Sequence, residues 1–299
     1  MMEAVEALSA SAFFLNNSQH ASHAALLLRV WFLNEATFMR PNARFAQAPN
    51  PGAAGTGGGI IDFSDGAFPG GGGSYIASIS LAHMLDSVSM LAWAAPDAWT
   101  ADDMAGLQKW VVTWLNEWLM RSPGNADRHA KNNHADFWDT LTATCAFFVG
   151  NISVVHDICN AAPERIASQV ATDGRLPAEE RRTKSESYHA FALTALMDLA
   201  LLCRAAAPES PNLFSYTTAD GRSLLSALNW LAPYAQGKRW DAGRQIIPFS
   251  YYDPGHEAFV TIYRAAHTVL FGESGRPAEA TDGVGGDDPS GHWPFGPFG

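Results

Sequence analysis

The sequence predicts an all-α fold, helical hairpins stacked and closed into a single toroid with a cleft at one end. Three observations carry this. The apolar residues recur at helical spacing nearly throughout, strand signals are almost absent, and the helices follow one another in pairs joined by short turns. A hydrophobic content of 47% supplies a sizeable core, and a charged fraction of 16% excludes a disordered chain.

Residues 3–15 and 19–34 read as a hairpin broken at Asn16-Asn17. From Arg40 to Ser74 the density of Gly and Pro forbids a regular element. A loop of that length inside a domain is usually functional or disordered, and Asn42, Phe45 and Gln47 favour function for its first part. Helices resume over 75–94 and 101–121. The second opens at Thr100, with Asp103 three residues on as in a capping box. Further helices are expected near 135–149, 152–171, 185–206, 220–236 and 256–271. The run from Ile246 is the best strand candidate. The expected division is a toroid over 1–272, with its loop at 40–74, and an irregular Gly- and Pro-rich extension over 273–299.

A net charge of −11 argues against a nucleic-acid partner, because a phosphate binder needs a basic face. No run of 18 apolar residues suggests a membrane span. Cys145, Cys159 and Cys203 lack metal-ligand spacing and are expected as buried free thiols, with one bridge the most that three can form. No metal or cofactor is implied. The sequons at Asn16 and Asn151 fit a secreted, mature chain without its signal peptide. Ten Trp and 17 Phe exceed what a core needs; flat rings can stack on sugars, although most are expected to be core anchors.

Two segments concentrate the chemistry. Lys131-Asn132-Asn133-His134 opens one helix, followed by Asp136 and Trp138. Consecutive amides are poor helix formers and destabilise unless they cap or bind something. Arg182-Thr183-Lys184-Ser185-Glu186-Ser187-Tyr188-His189 opens another. Taken alone, a histidine there is more often structural, and a charge run at a helix start is usually solvated.

Together, K-N-N-H and R-T-x-S-x-x-Y resemble the alginate-lyase family of polysaccharide lyases. So do WFLNEATFMRPN with FAQA (31–48), GGIIDF (58–63) and the helix at 218–235. Arg40 and Arg44 depart from it, standing where asparagine is expected, and bear on substrate detail. The resemblance implies an incomplete toroid and cleavage of a 1,4-linked uronate polymer, mannuronate-type alginate or glucuronan, by β-elimination. It also implies catalytic roles for Asn133, His134, Arg182 and Tyr188. The reaction removes H5 and expels O4, so the neighbouring carboxylate must be neutralised while an enolate-like charge develops. Asn133 as donor and Arg182 as cation suit that task. In mannuronate and glucuronate both groups lie on one ring face, and Tyr188 can serve as base and then acid. A phenol with an ordinary pKa near 10 needs a cationic neighbour, which His134 can provide. For guluronate, His134 would be the base. Lys131, Asn42, Arg44, Gln47, Trp138, His189, Tyr251 and Tyr252 are the expected substrate contacts. The expected partner is an acidic polysaccharide, held in a locally positive cleft; oligomeric state is not legible. Two readings compete: a toroidal glycoside hydrolase, for which Asp136, Asp139 and Glu180 offer carboxylates, and a non-catalytic carbohydrate-binding protein.

Overall fold

The computed structural model describes residues 1–43, 72–121, 124–125, 127–235 and 238–246. Helices dominate these residues, and the β contact among them is an isolated antiparallel bridge between Lys184 and Gln245. The chain divides into two compact units, 1–129 with 141–151, and 130–140 with 152–299.

In the first unit, α1 (Met2–Leu15) and α2 (Ser18–Leu28) form the expected hairpin. Asn16 turns the chain through the left-handed region (φ 51°), and the Asn17 side chain caps α2 by accepting the His20 N–H at 3.1 Å. The last turn of α2 loosens into a π-helical turn, Arg29–Leu33. A 3₁₀ segment, Gly72–Ser78, leads into α3 (Ser80–Ala94), which packs with α2 against α1. The Thr100 capping box forms as the sequence predicts at the start of α4 (Ala101–Trp114). Asp103 also receives the Arg29 guanidinium (Nε–Oδ1 2.8 Å), and that hydrogen bond pulls its carboxyl down to about 2.

Trp110, Trp114 and Trp118 recur every fourth residue along α4 and its π-helical extension Leu115–Leu119, and all three are buried. Their rings follow one another at 5.5 and 6.4 Å. With Trp99 and Trp138 also buried, these tryptophans are core anchors rather than sugar platforms; Trp93, 76% exposed, differs.

α5 (Asn133–Phe148) begins in the second unit. There α6 (Ile152–Gln169), the one-turn α7 (Pro177–Glu180), α8 (Ser185–Ala206) and α9 (Leu224–Ala235) follow. α8 packs against α6, α7 and α9, so its apolar residues are buried on several sides: Leu193, Leu196, Met197, Leu199 and Leu202 all lie inside. Each such side chain contributes about 1.5–3 kcal/mol through burial. The expectation of free thiols fails at one pair. Cys159 on α6 is bonded to Cys203 on α8, while Cys145 stays free and buried. The pairing joins helices that periodicity alone does not place side by side.

The expected helix at 256–271, the extension at 273–299, most of the 40–74 loop and the strand run beyond Ile246 lie outside the described residues.

Candidate active site

Both chemical motifs open helices, and within the second unit those openings meet. Thr140 of α5 donates to the Ala195 carbonyl of α8 at 2.8 Å. One turn nearer the motifs, the rings of Phe137 and Phe191 lie 4.2 Å apart, and Phe191 meets Tyr188 edge-on at 6.3 Å. The Arg182 guanidinium sits 3.7 Å from the centre of the Tyr188 ring, a close cation–π contact. Arg182, Tyr188 and His134 are each partly exposed, and Lys131 is exposed.

The paired amides do what their helix propensity demands. Asn132 Oδ1 accepts the His134 N–H at 3.2 Å and caps α5. Asn133 donates its backbone N–H (2.8 Å) and Nδ2 (2.9 and 3.0 Å) to the carboxylate of Glu179. It is completely buried. Nδ2 is spent on Glu179, and no face of the residue meets solvent. Glu179 itself escapes a sequence reading: beside Glu180 and Arg181 it looks like part of a solvated charge run, yet it is 1% exposed.

The start of α8 lacks a side-chain cap of its own, and residues 240–246 supply one from a distance. Gln245 accepts the Glu186 N–H at 3.1 Å and donates to Ser187 Oγ at 3.2 Å. Ser185 N–H donates to the Arg244 carbonyl and Ile246 N–H to that of Thr183, each at 3.0 Å. Trp240 Nε1 donates to Ser185 Oγ at 2.7 Å. Gly243 makes this approach possible. A Cβ there would lie 2.6 Å from Ser185 Oγ and 2.7 Å from the Glu180 carbonyl oxygen. Partial burial pushes the Glu186 carboxyl, two residues before Tyr188, up to about 7.

His189 and Trp138, expected as substrate contacts, are both buried. Trp138 is 4% exposed, leaving no face for a sugar. His189 is 1% exposed and packs on Trp230 and Trp240 with ring centres 5.1 and 5.2 Å away. Its Nε2 accepts the Leu176 N–H at 3.3 Å, which makes Nδ1 the protonated nitrogen donating to the Ser185 carbonyl at 2.8 Å. Burial lowers its pKa from 6.5 to about 4. The unfolded chain therefore binds this proton first. Stability from the neutral ring is complete above pH 6.5 and is lost as pH falls toward 4, by roughly 3 kcal/mol when fully charged. Calorimetry should show the melting temperature falling across that window. His189→Gln should melt lower at pH 7 and lose less on acidification; an equally steep acid limb would assign it to another group.

Asn42 lies in the first unit, and Arg44, Gln47, Tyr251 and Tyr252 lie outside the described residues. The carboxylates that a hydrolase would need are engaged elsewhere. Asp139 takes Arg165 through two bonds, 2.6 and 3.1 Å, and Glu180 faces Arg175 at 3.5 Å. Asp136 is fully buried beside Gln169 (2.6 Å), and burial raises its carboxyl well above the usual range.

Comparisons with known proteins identify the family. The alginate lyase family model matches residues 1–240. Among solved structures, an alginate lyase from Bacteroides ovatus superposes with a TM-score of 0.78 at 26% identity, covering 95% of this chain and 70% of that one. No curated protein matches the chain. A family match over most of its length and a helical structure similar to a solved member show that the chain belongs to the alginate lyase family and is a polysaccharide lyase.

Proposed function

We propose that this lyase cleaves a 1,4-linked polymer of mannuronate or glucuronate by syn β-elimination, leaving a 4,5-unsaturated uronide at the new end. The observation that carries the reading is the Arg182 guanidinium 3.7 Å from the Tyr188 ring, where the openings of α5 and α8 meet. A fixed cation beside a partly exposed phenol suits a reaction that draws H5 from a carbon next to a carboxylate. Tyr188 as its phenolate takes H5, and the phenol so formed gives that proton to O4 as the C4–O4 bond breaks and the C4=C5 double bond forms. Arg182 and His134 stabilise the carboxylate as charge moves onto it, and Lys131 holds the polyanion nearby. Asn133 contributes by fixing the start of α5, one residue from His134. Asn42, Arg44, Gln47, Tyr251 and Tyr252 remain proposed subsite residues.

The consecutive helical hairpins and the likeness to the Bacteroides ovatus lyase support an incomplete α/α toroid over 1–272. The Cys159–Cys203 bridge suits an oxidising compartment and supports a secreted enzyme.

The test is a panel of purified polysaccharides assayed for new ultraviolet absorbance from the unsaturated product. Mannuronan or glucuronan should respond and neutral glycans should not; activity on a neutral glycan alone would overturn the substrate class. A chain of net charge −11 must collect cations where it meets a polyanion, so KM should rise with salt while kcat changes less. A KM indifferent to salt would contradict binding through Lys131 and Arg182.

A further inference from the structure

The residue that touches both motifs belongs to neither. Glu179 sits on the one-turn α7, started by Pro177 at its first position, and its side chain turns into the second unit. The carboxylate accepts the backbone N–H of Asn133, one of the orphan donors at the start of a 16-residue helix, and both oxygens take the Asn133 amide. Negative charge is favourable at that end of a helix dipole. The carbonyl of Glu179 accepts the Arg182 N–H at 3.0 Å. One buried residue therefore fixes the backbone next to His134 through its side chain and the backbone of Arg182 through its main chain. Arg182 in turn covers the Tyr188 ring.

We propose that Glu179 is a positioning residue, whose buried bonds to Asn133 and Arg182 set the placement of His134 relative to the Arg182–Tyr188 pair. The inference rests on the site reading above. Near-attack geometry tolerates little error: a displacement of about 1 Å can cost about 10²-fold in rate. Glu179→Gln keeps the shape but turns one acceptor into a donor facing the Asn133 donors. It should lower kcat by about ten- to a hundredfold with KM changed far less. Asn133→Asp sets two buried carboxylates against each other and should be worse. The double variant restores complementarity. The new amide donates to the new carboxylate, and its oxygen still accepts the backbone N–H of position 133.

The experiment measures kcat, KM and melting temperature for the four proteins on a responsive polyuronate. Recovery of both melting temperature and most of kcat in the double variant is the expected result. Recovered stability without recovered kcat would show that Asn133 itself acts on the substrate and would overturn the proposal. So would a Glu179→Gln protein that melts lower but turns over normally. Glu179→Asp keeps the charge and withdraws it by one methylene, which makes it the variant to read if the single swaps do not fold. It should lose kcat at nearly unchanged KM, and a wild-type kcat would overturn the proposal. Tyr188→Phe and His134→Ala in the same series separate the two failures. If they turn over normally, the site reading falls; if they are dead while the Glu179 variants are not, only the role of Glu179 falls.

Discussion

Tyr188→Phe is expected to abolish elimination while leaving the fold intact. The substitution removes one oxygen and keeps the ring, so the cation–π contact with Arg182 and the edge contact with Phe191 persist. What goes is the group proposed to carry a proton twice, from C5 and then to O4. A general acid–base group typically contributes about 10²–10⁴-fold, and losing both roles together should reach or pass the top of that range. Because the contribution is made mainly in the transition state, kcat should collapse while binding of a saturated oligouronate changes little. Near-normal turnover with an unchanged melting temperature would remove Tyr188 from the mechanism. His134→Ala should also be damaging, through the carboxylate rather than through proton transfer.

Opening the Cys159–Cys203 bridge is expected to be the most destabilising covalent change available to the second unit. The two cysteines are 44 residues apart and join α6 to α8. On the chain-entropy account, closing a loop of that length contributes about 4 kcal/mol by restricting the unfolded chain. The Cys159→Ala, Cys203→Ala double variant should therefore melt roughly 10 °C lower. A reductant should produce a similar drop in the wild type and none in the variant. The sulfurs are buried, so the reductant acts once the chain opens, and the drop should develop on heating or with mild denaturant. An unchanged melting temperature in the double variant would show that the bridge adds nothing to the packing of α6 on α8.

What the chain discloses by itself is local. The break at Asn16-Asn17, the Thr100–Asp103 capping box and the bounds of α6 and α8 all follow from residues within four positions of one another. The paired amides at 132–133 likewise signal that something must satisfy them. What accepts the donors of Asn133 is Glu179, 46 residues away, and no local pattern marks that glutamate as buried. The disulfide fails to show for the same reason. His189 and Trp138 adjoin motif residues, which in the sequence makes them candidates for substrate contact. Adjacent positions on a helix point in different directions, however, and α8 is apolar on so many sides that its sequence does not say which face is sealed. The cap that Gln245 gives α8 lies 59 residues from its partner, Glu186. The site is thus legible as two motifs, and the clamp that joins them is legible only in the fold.

If one phenolic oxygen performs both proton transfers, the stereochemistry of the polymer decides whether it is cleaved. Release of unsaturated ends should be followed side by side on polymannuronate and polyguluronate, at equal uronate concentration and with one enzyme preparation. In mannuronate H5 and O4 lie on the same face and Tyr188 reaches both; in guluronate they lie on opposite faces and it cannot. The first should be cleaved readily and the second hardly at all. Preferential cleavage of polyguluronate would contradict that single-residue mechanism and would move the base to His134.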